Sequence, residues 1–175
     1  HCDVVRLPFR ENFEETSDNI PACWTLVSNL TEDTRDWVVK EMLNGNKVAQ
    51  LSTSLANGYA ILHTPLLFVD SDIYSLKFRY ETNISDDEYL VVRISDDAGV
   101  TFADTVLFAL RNNAWTDVEY DLSGYVGKTI MVEFKVRSLR DNSYSEIVSI
   151  DDVNIACRSA NEIVYTDHIC WGKHY

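Results

Sequence analysis

Apolar and polar residues alternate along most of the chain from residue 73 onward. The alternation is unbroken in residues 74–80 and returns in residues 90–94, 106–110, 118–122 and 130–136. A period of two is typical of half-buried β-strands, and no segment carries the apolar stripe of a helix. Earlier strand candidates are residues 9–15, 22–28, 36–43, 47–52 and 58–68. The pattern predicts an all-β protein, with Val106, Phe108 and Leu110 on one apolar face of their strand.

Turn-forming residues separate these strands. They occupy residues 44–46, 57–58, 96–99, 112–113 and 123–128. About ten strands at this spacing predict a two-sheet antiparallel β-sandwich with jelly-roll topology. We expect residues 1–157 to form this domain, and residues 158–175 to form a separate tail because they follow the last strand.

The last strand contains a break in its alternation. Val148 and Ile150 share one parity, whereas Val153 and Ile155 share the other. Both pairs face the core only if one extra residue is inserted at residues 151–152, and such β-bulges are frequent near functional sites. The alternative is that one of the two pairs packs on the opposite face of the sheet.

The chain is acidic: its 175 residues contain 28 Asp and Glu against 15 Lys and Arg, for a net charge of −13. This charge disfavours binding to nucleic acid, which depends on neutralising phosphates, and attachment to an anionic membrane. No segment approaches the roughly 18 apolar residues of a membrane span, so we expect no direct membrane insertion. The acidity has two explanations, which are solubility and a set of carboxylates that bind a cation.

The cysteines are Cys2, Cys23, Cys157 and Cys170, and none of them forms the C-x-x-C spacing typical of zinc and thioredoxin-like sites. Four cysteines allow three pairings, which the sequence leaves open. We favour a bridge between Cys23 and Cys157 over one between Cys2 and Cys157, because Cys23 and Cys157 flank the two terminal elements. Disulfides would imply an oxidising, extracellular setting.

Several motifs, taken together, resemble a known family. They are Pro8-Phe9-x-Glu11-x-Phe13-Glu14, Pro21-x-Cys23-Trp24, Thr64-Pro65, residues 94–102, residues 115–128 and Ile150-Asp151-Asp152-Val153. In this order, from residue 8 to residue 157, they are similar to the bacterial cleaved-adhesin and MAM-like jelly-roll surface domains, which include the adhesin modules of gingipain proteases.

The resemblance implies a jelly roll with a structural calcium ion near the chain ends, an extracellular or bacterial cell-surface location, and a role in adhesion or in binding glycans or proteins. Residues 162–175, with Ile169-Cys170-x-Gly172-x-x-Tyr175, resemble the start of a repeat found in long bacterial surface proteins. Neighbouring domains of a longer chain are therefore expected partners. One departure concerns residues 27–34, which lack the Asp/Gly-rich run that many relatives carry after the first Trp.

The candidate calcium ligands are the acids of the two terminal strands. The first and last strands of a jelly roll usually lie together, so Glu14 or Glu15 is expected to face Asp151 or Asp152. Clustered carboxylates raise each other's pKa unless a cation neutralises them, and calcium also recruits backbone carbonyls, here from residues 44–50. The alternative is that the four acids are solvated on a polar edge.

The segment from Ser95 to Phe102 matches the Asp-box hairpin pattern. In this pattern Asp97 accepts backbone N–H groups inside the turn, Gly99 permits a positive φ, and Phe102 anchors the turn to the core. We predict a structural turn here.

Aromatic side chains that could stack on sugar rings are Trp37, Tyr59, Trp115, Tyr125 and Tyr144. The resemblance implies structural roles for Trp115 and Tyr125, because relatives keep core and turn aromatics at these places. We therefore choose Tyr144, which lies in a polar loop with Arg140 and Asp141, as the predicted centre of a ligand-binding site.

Enzymatic functions are disfavoured, because the chain contains no H-E-x-x-H, no G-x-S-x-G and no glycine loop for phosphate. The sequence predicts a non-catalytic, calcium-stabilised binding or adhesion module of a secreted or cell-surface bacterial protein, which recognises a glycan, a host protein or a neighbouring protein. The alternatives are a structural spacer module and an accessory domain of a glycan-processing enzyme.

Overall fold

The computed structural model describes residues 2–15, 18–29, 36–53, 57–139 and 146–158. Thirteen β-strands and one short 3-10 turn, Ser123–Tyr125, are formed within them. The strands build two packed sheets, so the predicted all-β sandwich with jelly-roll topology is confirmed. The described residues contain no helix with the length and hydropathy needed to span a bilayer.

The first sheet has seven strands. They are β1 (Val5–Arg6), β3 (Thr25–Ser28), β6 (Tyr59–His63), β7 (Leu67–Phe68), β9 (Glu88–Ser95), β10 (Asp104–Ala109) and β12 (Thr129–Ser138). β12 is central: β9 pairs with one of its sides, and β6 and β7 follow one another along the other. β3 pairs with β6 and β10 pairs with β9, whereas the short pair of β1 and β7 is parallel.

The second sheet has six strands. They are β2 (Phe9–Glu11), β4 (Val38–Glu41), β5 (Lys47–Thr53), β8 (Tyr74–Asn83), β11 (Thr116–Asp121) and β13 (Glu146–Cys157). The order is β11-β8-β13-β5-β4, and β2 pairs with the second half of β13. The two ends of the domain are therefore neighbours, as the sequence predicts for a jelly roll.

The core lies between the sheets and follows the alternation of the long strands. Leu76 and Phe78 of β8 face Val132 and Phe134 of β12, and all four side chains are buried. Phe78 and Phe134 meet edge to face, with ring centroids 5.2 Å apart, so this contact joins the two sheets. The alternate residues of both strands point outward, and they form the two outer faces of the sandwich.

The apolar face predicted for Val106, Phe108 and Leu110 is wrong. A register shift between Thr105 and Leu107 inverts the alternation, so Val106 and Leu107 both pack against the core. Phe108 and Leu110 are then 59% and 54% exposed. The physical reason is a β-bulge, which adds one residue and turns the following side chains to the other face.

The β-bulge predicted in the last strand is confirmed. The pairing of β13 with β8 shifts register between Asp151 and Asn154, and Asp152 has a φ of 50°. Val148 and Ile150 before the bulge are buried in the core, as are Val153 and Ile155 after it.

The predicted disulfide between Cys23 and Cys157 is wrong. Cys23 bonds to Cys2, with the two Cα atoms 5.6 Å apart, and Cys157 is also disulfide-bonded. The topology explains this pairing. β6 and β7 follow one another along the same side of β12. β3 pairs with β6 and β1 pairs with β7, so β3 and β1 start side by side. Cys157 instead ends β13 in the opposite sheet, opposite Tyr74.

Candidate functional site

Two of the four predicted calcium ligands converge on the start of β5. Glu14 accepts the backbone N–H of Lys47 at 3.0 Å through Oε1, and Asp151 accepts the side-chain amide of Asn46 at 3.0 Å through Oδ2. The Lys47 ammonium donates to the carbonyl of Glu14 at 3.2 Å. The carboxylates of the two chain ends thus meet at the segment that the sequence predicts to supply backbone carbonyls, and this corner already holds a positive charge.

The other two predicted ligands point elsewhere. Asp152 lies 4.0 Å from the guanidinium of Arg10, and Glu15 is exposed. Across the described ranges, no group of three or more acidic, histidine or cysteine side chains is close enough to hold a metal. The calcium site remains a prediction, for which Glu14 and Asp151 are the better placed residues.

The Asp151 carboxyl is buried, with 3% of its surface exposed. Loss of solvation raises its pKa, and this effect outweighs the hydrogen bonds from Asn46 and from the backbone N–H of Asp152. The negative charge of Asp151 is therefore only partly compensated by the protein itself.

The hydrogen bonds of the predicted turn at residues 95–102 are present. The Asp97 carboxylate accepts the hydroxyl groups of Ser95 and Thr101, each at 2.6 Å, and the backbone N–H of Thr101 at 2.8 Å. These bonds lower the pKa of Asp97 to about 2. Gly99 has a φ of 89°, and a Cβ there would lie 3.0 Å from the sulfur of Met131.

The predicted anchoring of Phe102 in the core is wrong. Phe102 stacks on His63, with ring centroids 5.0 Å apart and ring planes at 3°. His63 points outward from β6, because its neighbour Leu62 faces the core. The turn is therefore held against the outer face of the seven-stranded sheet. There His63 contacts Glu133 at 3.2 Å, which makes it a partnered structural histidine.

Two adjoining grooves cross the outer face of the six-stranded sheet. The first, of about 440 Å³, is lined by Met42, Leu43, Asn44, Asn46, Arg79, Trp115, Asp151 and Asp152. The second, of about 520 Å³, is lined by Lys77, Phe78, Arg79, Asp117, Val118, Glu119, Asp152 and Asn154. Arg79 and Asp152 line both, so the grooves meet beside the β13 bulge. We call the two together the Arg79 groove.

An aromatic ring and a guanidinium form one wall of the Arg79 groove. Arg79 lies over the half-buried indole of Trp115, 5.0 Å from the ring centroid. Its Nε is 3.9 Å from Asp117 and makes no hydrogen bond among the described residues. The neighbouring Leu43, at the tip of the hairpin between β4 and β5, is fully exposed.

Polar side chains line the other half of the groove. Lys77 lies 3.6 Å from Glu119 and donates to the carbonyl of Cys157 at 3.0 Å. Asn154 donates to the carbonyl of Asp152 at 2.8 Å. These contacts hold amide and charged groups of both signs at the groove floor, where they can donate to or accept from the hydroxyl groups of a ligand.

The residues of the Arg79 groove differ from the predicted ligand-binding set. Tyr144, Arg140 and Asp141 lie outside the described residues, so the prediction for them stays open. Of the other aromatic residues proposed for sugar stacking, Trp37 and Tyr125 are buried. Trp115 and Tyr59 are half-buried, and they lie on opposite sheets. The family resemblance implies a structural role for Trp115 and therefore does not place it in a ligand site. The sequence signal that points to the groove is the alternation of β8, which turns Lys77 and Arg79 outward beside the bulge of β13.

Comparisons with known proteins agree with this architecture. No family model matches the chain. Bacillopeptidase F of Bacillus subtilis is 28% identical over 174 residues, a match that covers 92% of this chain but only 12% of that protein's length.

Two solved structures share the fold. The K1 cleaved adhesin domain of Lys-gingipain from Porphyromonas gingivalis superposes with a TM-score of 0.59 at 15% identity, covering 87% of this chain and 99% of that domain. TmCBM61, solved in complex with β-1,4-galactotriose, gives a TM-score of 0.55 at 12% identity, covering 78% of this chain and 90% of that one. The chain therefore has the β-sandwich fold of the cleaved adhesin domains that its motifs resemble.

Proposed function

We propose that this chain is a non-catalytic module that binds a glycan in the Arg79 groove. The observation that carries the proposal is the groove itself, in which an indole ring, an arginine and several carboxylate and amide groups line one continuous surface. Ligand sites typically combine apolar and aromatic walls with a few polar groups that orient the ligand, and the groove has this composition.

The aromatic half of the groove suits the apolar C–H face of a sugar ring, and the polar half suits its hydroxyl groups. The C–H face of a pyranose ring packs against the Trp115 indole, and the exposed Leu43 extends this apolar wall. Hydroxyl groups at the sugar's edge pair with Asp152, Asn154 and Lys77. Because both basic and acidic groups line the groove, a neutral glycan is the ligand that fits best.

Two further observations support the proposal. TmCBM61 is a carbohydrate-binding module with a bound galactotriose on the same fold, although the likeness in itself concerns the fold alone. The Cys2–Cys23 disulfide is typical of an oxidising compartment, which supports an extracellular or cell-surface location. We also propose that the chain is one domain of a longer protein, because its match covers only 12% of the length of Bacillopeptidase F, and that neighbouring domains are among its partners.

Replacing Trp115 with alanine should weaken glycan binding roughly thirtyfold, which corresponds to about 2 kcal/mol. The substitution removes the stacking surface of the groove. A glycan array first identifies the ligand of the wild-type chain, and isothermal titration calorimetry then measures Kd for both proteins.

The matched control is Trp115→Phe, which keeps an aromatic face and should retain most of the affinity. If no glycan on the array binds, the proposal is wrong and the spacer alternative is favoured. Turnover of chromogenic glycosides would contradict its non-catalytic character.

We further propose a structural calcium ion held by Glu14 and Asp151 together with backbone carbonyls of residues 44–50. Hard cations prefer such oxygen ligands, and the partly compensated charge of the buried Asp151 fits a cation. The ion would tie the segment after β2 to the bulge of β13. These two segments are far apart in the sequence, and holding them together by weak contacts alone is entropically unfavourable because a long loop must be closed.

Calcium should stabilise the wild-type domain by about 1.4 kcal/mol when its free concentration is ten times Kd. Thermal unfolding in EDTA and in calcium chloride measures the effect. Glu14→Gln and Asp151→Asn should remove the calcium dependence. The control Glu15→Gln should keep it, because Glu15 does not contact the start of β5 in the described structure. A wild-type melting temperature that ignores calcium would refute the site.

A further inference from the structure

The outer face of the seven-stranded sheet carries aromatic and basic side chains in two adjacent rows. In one row Arg137 of β12 lies between Tyr59 of β6 and Tyr89 of β9. In the next row Lys135 of β12 lies between Ile61 and Val91, and Phe108 of β10 is the neighbour of Val91. We call Tyr59, Tyr89, Phe108, Lys135 and Arg137 the cationic aromatic face. It lies on the opposite side of the sandwich from the Arg79 groove.

The side chains of this face are held in place by one another. Lys135 Nζ lies 5.2 Å from the ring centroid of Tyr59, and the rings of Tyr89 and Phe108 are 4.9 Å apart. Arg137 donates from its two terminal nitrogens to the carbonyl and the Oδ1 of Asn57, at 2.8 and 3.0 Å. These contacts fix the guanidinium beside Asn57, just before β6, so less side-chain freedom is lost when a ligand binds.

The charge of this face is opposite to that of the chain. The whole sequence has a net charge of −13, yet the described positions of the two rows carry two bases and no acid. In the next row the carboxylate of Glu133 is already bound by Arg93 and His63. The uncovered charge is therefore positive, and it selects a ligand that is negative.

The backbone spacing of Tyr59 and Tyr89 across β12 indicates which kind of anion fits. Tyr59 and Tyr89 lie on the two strands that flank β12, so their backbones are roughly 9.5 Å apart, or two strand spacings. Two sugar rings can stack on the tyrosines while an acidic group between them reaches Arg137 or Lys135. Two fixed cations suit the sparse charges of a glycan better than the dense phosphates of a nucleic acid, which the net charge also repels.

We infer that the cationic aromatic face is a second binding site, which takes an acidic oligosaccharide bearing carboxylate or sulfate groups. The inference goes beyond the proposed function, since it concerns the other sheet and a different class of glycan. It does not depend on whether the Arg79 groove binds any ligand.

The test is calorimetric titration of the full 175-residue chain with hyaluronan and chondroitin sulfate tetrasaccharides. The carboxyl-reduced hyaluronan tetrasaccharide, an aspartate-rich peptide and a short single-stranded DNA are the comparison ligands. At least one acidic tetrasaccharide should bind, more tightly than all three comparison ligands, and added salt should weaken its binding. Failure of both acidic tetrasaccharides to bind overturns the inference, and so does equal binding of the peptide or the DNA.

Variants assign the binding to the face. Lys135→Gln and Tyr59→Ala should each weaken it at least tenfold, and Lys135→Gln should do so without lowering the melting temperature. The control Lys40→Gln removes the same charge from the exposed end of the other sheet and should change nothing. Trp115→Ala should also leave this binding intact, which separates the site from the groove. Unchanged affinity in Lys135→Gln would overturn the inference.

Discussion

Replacing Phe134 with alanine should lower the free energy of unfolding by about 3–5 kcal/mol. Phe134 is fully buried in the central strand of its sheet and meets Phe78 of the opposite sheet edge to face. Its removal leaves a cavity between the sheets and also deletes their aromatic contact. The total stability of a domain is about 5–15 kcal/mol, so the variant should lose a large part of it.

Urea unfolding at 25 °C measures this loss, and Phe108→Ala is the matched control. Phe108 is 59% exposed and loses mainly its contact with Tyr89, so its replacement should cost no more than about 1 kcal/mol. If both variants were equally destabilised, the inward and outward assignments around the β10 bulge would be wrong.

Most of the fold could be predicted from the sequence, because its long strands alternate without interruption. β8 and β12 each bury one set of side chains, so period two is visible in them. The bulge in β13 was visible as well, since two acids separate apolar pairs of different parity. The bulge in β10 was not, because the inserted Val106 and the following Leu107 are both apolar, so the insertion leaves no change of residue type.

Other features depend on the arrangement of strands, which alternation does not encode. The Cys2–Cys23 bridge requires knowing that β1 and β3 start side by side along the same sheet. The Arg79 groove requires knowing that β11, β8 and β13 are adjacent and that a hairpin tip lies beside them. The sequence shows which residues of each strand point outward, and only the pairing shows which of them become neighbours.

The convergence of Glu14 and Asp151 on the start of β5 lies between these two cases. The acidic motifs at both chain ends and the expected pairing of the terminal strands were enough to predict that they approach one another. Which of the four acids lie at the start of β5 was not predictable, because the bulge directs Asp151 towards Asn46 and Asp152 towards Arg10.

Replacing Glu133 with glutamine should lower the free energy of unfolding by about 3 kcal/mol at pH 7. Glu133 is buried at the centre of β12, and it accepts the guanidinium of Arg93 from β9 and contacts His63 of β6 at 3.2 Å. The substitution leaves the partly buried Arg93 without its anion. Glu119→Gln is the control, because Glu119 pairs with Lys77 in a more exposed place and should cost no more than about 1 kcal/mol.

The effect of Glu133→Gln should also depend on pH in a defined direction. Burial alone would raise the pKa of Glu133, but the hydrogen bonds from His63 and Arg93 outweigh burial and hold this pKa below its ordinary value. A carboxyl whose folded-state pKa is lowered contributes stability above its unfolded-state pKa, which is about 4.3, and loses it as the pH falls through the folded-state pKa. The difference between wild type and Glu133→Gln, measured by urea unfolding, should therefore shrink as the pH falls below about 4. A difference that persisted undiminished down to about pH 2 would show that the charge of Glu133 does not hold β6, β9 and β12 together.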